Sequence, residues 1–123
     1  MGKVLLLVIC LLVAVPAYAE VKGYMPTLWL SVLAKHYKGQ PVSTKATPED
    51  MERDKNMFIW YVVGVSDANS SMGALCLPNN YNPTQLTDIV AKGLEDHPNI
   101  ILNPEYSGAT VAGYFLQKAY PCK

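Results

Sequence analysis

The chain has 123 residues, enough for one small domain and too few for a second once an N-terminal leader is set aside. Ten Lys and Arg balance ten Asp and Glu, and no basic stripe or block stands out, so nucleic acid and anionic membrane surfaces lack the electrostatic footprint they require. Half of the residues are apolar, which an apolar N-terminus inflates, and the remainder has the composition of an ordinary globular domain.

Met1 to Ala19 reads as a secretory signal peptide. Lys3 supplies the positive start, Val4 to Val15 is an apolar run, and Ala17-Tyr18-Ala19 is a small-x-small cleavage site. The run is broken by Pro16 and falls short of the roughly 20 residues a membrane span needs. Cleavage would remove Lys3 and Cys10, leaving a mature domain over 20–123 with a formal charge of minus one and two cysteines, Cys76 and Cys122. In an exported chain such a pair is expected to be oxidised to itself. The loop it closes is long enough for a contribution of about 4 kcal/mol. Two isolated cysteines with His36 and His97 far apart match no zinc spacing. A nucleophilic Cys76 served by His97 would need a free thiol.

Four helices follow, each opened by proline at the first helical position. The first, near 26–38, starts at Pro26 and carries a broad stripe of Leu28, Trp29, Val32, Leu33 and Tyr37, with His36 near its C-terminal end. The longest connection is expected at Gly39 to Ala46. The second, near 48–68, starts at Thr47-Pro48 with Asp50 three residues after the cap, the pattern of a capping box. Met51, Phe58, Val62 and Val65 share its inner face, while Asp50, Glu52 and Asp54 alternate with cations as a solvated face. Trp60-Tyr61-Val62-Val63 also suits a strand, but no alternating partner run exists, so helix is kept. The third, 83–96, starts at Asn82-Pro83 with Gln85 completing a second box. Leu86, Ile89, Val90 and Leu94 lie on one side, and Asp88, Lys92, Glu95 and Asp96 on the other. The fourth, near 104–120, starts at Asn103-Pro104 and buries Val111, Tyr114, Phe115 and Leu116, with Gly108, Ala112 and Gly113 allowing close approach of a neighbour. The expected fold is all-α, a compact bundle of about four helices with one intrachain disulfide.

From Cys76 to Cys122 the order Cys-Leu-Pro, then Asn-Pro-Thr-Gln-Leu, then Ile-Val-Ala-Lys-Gly-Leu-Glu-Asp-His-Pro, and finally Ala-Tyr-Pro-Cys resembles the C-terminal half of the amidase immunity proteins of type VI secretion systems. Tyr61-Val62-Val63-Gly64-Val65 is similar to the Tyr-x-x-Gly-Val of that family. The sequence departs from the pattern in Tyr120, where phenylalanine is common, and in lacking further cysteines before Gly64. Its short chain and single cysteine pair look most like the immunity proteins that face the fourth family of amidase effectors. The resemblance implies a periplasmic protein of a Gram-negative bacterium, a homodimer that plugs the cleft of a peptidoglycan amidase. That amidase would be a papain-like cysteine DL-endopeptidase, and the plug would spare the cell intoxication by itself or its siblings.

No clustered acid-base set, nucleophile with base, or metal trio stands out in the sequence. The chain is therefore read as a binding protein with no catalytic, cofactor or metal residue and no membrane contact after cleavage. A plug must be rigid, and two loops are held at both ends. Leu77 to Tyr81, offering Asn79, Asn80 and Tyr81, lies between Cys76 and the Asn82-Pro83 helix start. His97 to Asn103, offering His97, Asn99 and Asn103 with Glu105 and Tyr106 near its tip, joins the last two helices. Preorganised loops lose less entropy on binding, and aromatic side chains serve as anchors. Two other classes of function remain. One is a periplasmic acid-stress chaperone of the small helical disulfide-bonded type, and the other is a hydrolase using Cys76 and His97.

Overall fold

The structure, a computed structural model, describes residues 25–123. The leader and Cys10 lie outside the described residues. Two capping boxes set the frame. Thr47 Oγ1 accepts the Asp50 N–H at 3.1 Å while the Thr47 N–H donates to the Asp50 carboxylate, which starts α2, Pro48–Ser71. Asn82 and Gln85 repeat the exchange at 3.0 and 3.2 Å and start α3, Pro83–Asp96. In each case proline occupies the first helical position, where a missing N–H costs nothing.

Ahead of these comes α1, Thr27–Tyr37; after them come a 3-10 turn at Pro98–Leu102 and α4, Gly108–Ala119. No β-strand occurs among the described residues; Pro26 and Ser107 form a single antiparallel bridge. Each of the four helices packs against the other three. Leu30, Leu33, Phe58, Val62, Leu86, Val90, Val111 and Leu116 are buried at their centre. The bundle runs α1 antiparallel to α2. His36 near the end of α1 meets Asp54 near the start of α2 at 2.7 Å, and the Tyr37 and Phe58 rings lie 5.3 Å apart. Cys76 and Cys122 are disulfide-bonded, with Cα atoms 5.0 Å apart.

Several expectations shift. The inner stripe of α1 is Leu30, Leu33 and Ala34, whereas Leu28 and Trp29 are more than half exposed. Almost every residue from Leu28 to Ala34 is apolar, so periodicity alone does not fix the phase of that helix. Tyr114 also turns outward, at 52%. Asp54 is not on a solvated face: with Arg53 on one oxygen and buried His36 on the other, it ties α1 to α2. The Val42 N–H points at His36 Nε2 at 3.5 Å, so Nδ1 carries the proton donated to Asp54. The connections from α2 to α3 and from α3 to α4, the latter holding the 3-10 turn, are both longer than the one between α1 and α2.

The fourth helix begins at Gly108, not at Pro104. Asn103 Oδ1 accepts the Glu105 N–H at 2.9 Å, which closes a local turn in place of a helix cap. The capping acceptor is Ser107 Oγ, taking the Thr110 N–H at 3.2 Å.

Candidate functional site

The segment from His97 to Ser107 is fastened along its length. His97 donates from Nδ1 to the Gly93 carbonyl at 2.9 Å, satisfying one of the last open acceptors of α3. The next residues form the 3-10 turn, with the Ile100 N–H on the His97 carbonyl. At the far end the hydroxyl of Thr27, itself buried, donates to the Tyr106 carbonyl at 2.7 Å, and the Gly108 N–H donates to the Met25 carbonyl at 2.7 Å. The segment is thus tied to α3, α4 and the start of α1 at once.

Between this segment and α4 lies an open groove of about 550 Å³. His97, Asn99 and Ile100 form one wall and Thr110 and Tyr114 the other, with Tyr106 at one end. Asn99, Leu102, Glu105, Tyr106 and Tyr114 are exposed. Lys92 beside Asp96 at the groove edge holds that carboxyl below its ordinary range, chiefly through their 2.7 Å contact. The surface offers aromatic rings and an amide, with acidic groups at its rim.

The groove floor rests on a glycine. A Cβ on Gly93 would come within 2.5 Å of the Phe115 ring, and that ring lies 5.4 Å from both the His97 and the Tyr114 rings. Gly93→Ala is therefore expected to displace Phe115 and both groove walls, lowering stability by about 1–3 kcal/mol as overpacked cores do. Urea unfolding measures this; an unchanged midpoint would show that the ring has room to move.

The other candidate loop is built differently. The Cys76 N–H donates to the Tyr120 carbonyl at 3.1 Å, beside the disulfide, and a turn brings the Tyr81 N–H to the Pro78 carbonyl at 3.2 Å. Asn79, Asn80 and Tyr81 are exposed on it. The structure brings His97, Asn99 and Tyr106 together around the groove, with Asn103 and Glu105 in the turn that closes it. It does not bring Asn79, Asn80 and Tyr81 to them. They sit before the N-terminus of α3 and His97 after its C-terminus, and 14 residues of helix span about 21 Å.

That separation also removes the pairing of Cys76 with His97 as nucleophile and base, since Cys76 is bound to Cys122 and the histidine stands at the opposite end of the helix. Among the described residues no group of three or more His, Cys, Asp or Glu is placed to hold a metal, and no helix is long and apolar enough to cross a membrane. Thr110 and Tyr114 were not legible as parts of this surface, nor Thr27 as the buried residue that pins it. Thr27 and Thr110 gave no signal, and Tyr114 read as an inner residue.

No curated protein matches the sequence. A family model, that of the Rap1a immunity proteins, matches residues 30–122, which takes in all of α2, both candidate loops and the disulfide. With most of its length matched, this chain belongs to the Rap1a immunity proteins, a family of type VI effector immunity proteins.

Proposed function

We propose that the protein acts in the periplasm as a homodimer. It binds a type VI secreted peptidoglycan amidase, a papain-like cysteine DL-endopeptidase, and occludes its active-site cleft. What supports the place of contact is the fastening of His97–Ser107. Occluding a protease-like cleft requires a projection that keeps its shape, and a segment hydrogen-bonded to three helices, to α3 through the His97 ring and to α1 and α4 through its backbone carbonyls, is ordered before it binds. Tyr106 provides an amphipathic anchor, and Asn99 provides hydrogen-bonding capacity beside it.

Calorimetry with a purified type VI secreted amidase of that class, taken from the same organism, tests this reading. The expected result is a nanomolar complex, together with loss of peptidoglycan hydrolysis at equimolar immunity protein. Absence of heat and undiminished hydrolysis would remove the amidase from the reading and leave only family membership.

A further inference from the structure

The outer face of α2 carries a stripe that nothing inside the molecule explains. Met57, Trp60, Gly64 and Ala68 follow one another at helical spacing and are all exposed, Trp60 at 72%. From Met57 to Ser66 the helix contains no charged residue. Trp29 on α1 is exposed too: it lies seven residues before His36, and seven residues after Asp54 on antiparallel α2 is Tyr61, so Trp29 stands level with the middle of the stripe. Contiguous exposed apolar surface of this kind marks an interaction site.

Gly64 is an independent sign. Glycine is among the poorest helix formers, yet it sits inside a 24-residue helix. A Cβ there would meet nothing within 4 Å. No internal neighbour requires its smallness, so the gap it leaves faces outward beside the largest exposed side chain of the helix.

We propose that this face seats a second copy of the chain, with the two α2 helices packed antiparallel about a twofold axis at Trp60. The stripe is self-complementary about that point. Arg53 lies seven residues before Trp60 and Asp67 seven after, and both are exposed. A twofold axis there sets Arg53 of each copy against Asp67 of the other, so the pair forms twice. Within one chain Asp67 makes no ion pair among the described residues, and Arg53, although it touches Asp50 and Asp54, keeps most of its side chain in solvent. The same register sets Met57 of one copy level with Val63 of the other, one residue's rise of about 1.5 Å from Gly64, so that a long flexible side chain lies beside the gap that glycine leaves. Trp60 meets its own symmetry mate.

Arg53 to Ser71 spans roughly 27 Å of helix, and with α1 alongside the face is about 20 Å wide. The corrugation of Trp29, Met57 and Trp60 brings this footprint toward the roughly 800 Å² per partner of a standard interface. The inference rests on the homodimer in the proposed function and adds the face and register of that dimer.

Sedimentation equilibrium of the purified exported chain tests it, using Arg53→Glu, Asp67→Lys, the combined swap, and Gly64→Leu. The unaltered chain is expected to sediment at twice its own mass. Each single charge reversal is expected to weaken association by about tenfold or more, and the combined swap to restore it to within about threefold. Gly64→Leu is expected to weaken association comparably while the folded monomer melts no earlier than the unaltered chain, because the added side chain fills open space. A monomeric unaltered chain, or reversals that leave the dimer intact, would overturn the proposal, as would a combined swap that fails to rescue. Calorimetry with the amidase is read separately. Amidase binding by a monomeric unaltered chain overturns the α2 interface alone, and a dimer with the expected rescue pattern that ignores the amidase supports the interface while removing the proposed target.

Discussion

Cys76→Ser is expected to lower the unfolding free energy by about 4 kcal/mol, a large part of the 5–15 kcal/mol that a small domain has in total. Both sulfurs are near solvent, since Cys76 and Cys122 are exposed residues, so the substitution leaves no core cavity and the effect comes from freeing the unfolded chain. The bridge spans 46 residues, and opening it returns the conformational freedom of everything from the α3 approach to the end of α4. Cys122→Ser should cost the same, and the double substitution no more than either single one, because a lone partner cysteine retains no stabilising role. On thermal melting the loss corresponds to a fall of about 15–30 °C for a domain of this size. Equal melting temperatures with and without reductant would show that the bridge does not stabilise the domain by restricting its unfolded chain.

The features legible from sequence were those in which a local rule and the global packing ask for the same residue. Thr47-Pro48 with Asp50 and Asn82-Pro83 with Gln85 form their boxes as read, because every atom involved lies within four residues. The phase of α3 was also legible, since its charges at Asp88, Lys92, Glu95 and Asp96 leave only one apolar side. Where the pattern had no polar marker, as in α1, the inner face went to Leu30 and Ala34 because α2 and α3 approach from that side, and only tertiary packing decides that.

Asn103-Pro104 misled for a related reason. The same dipeptide can cap a helix or close a turn, and the choice went to the turn because Ser107 is held by the bridge to Pro26 and the Gly108 N–H is taken by the Met25 carbonyl. Those are contacts with residues some 80 positions away. The tie between His36 and Asp54 was hidden likewise: each residue has an adequate local explanation, as a helix-end cation and a surface acid, and their meeting depends on the register of α1 against α2. The groove inherits this problem, because its two walls come from the 3-10 turn and α4 and its far end is pinned by Thr27. A sequence reading could find the loop at 97–103, with Glu105 and Tyr106 near it, but neither its extension to Ser107 nor the partner surface across from it.

The remaining large effect concerns the proposed amidase contact, and the geometry makes it a comparison between two tyrosines. Tyr106 and Tyr81 are exposed to nearly the same degree, 43% and 40%, and each sits on a loop held at both ends, so neither exposure nor rigidity distinguishes them. Position does: Tyr81 precedes the start of α3, Tyr106 lines the groove at its other end with Asp96 and His97, and the helix between is about 21 Å long, too far for both loops of one chain to fill the centre of the same narrow cleft. Tyr106→Ala is expected to weaken amidase binding by about 30- to 1,000-fold, the 2–4 kcal/mol of a central anchor. Tyr81→Ala is expected to change it by less than about threefold, as a residue outside the centre would. Truncating Tyr106 spares the backbone carbonyl that Thr27 holds, so the fold should persist, and thermal melting of both variants checks that. Calorimetry that ranks them in the opposite order would move the contact to the other end of α3, onto the loop beside the disulfide. In that case Asn79 and Asn80 would replace Asn99 as the polar partners of the cleft, and the groove against α4 would have no part in inhibition.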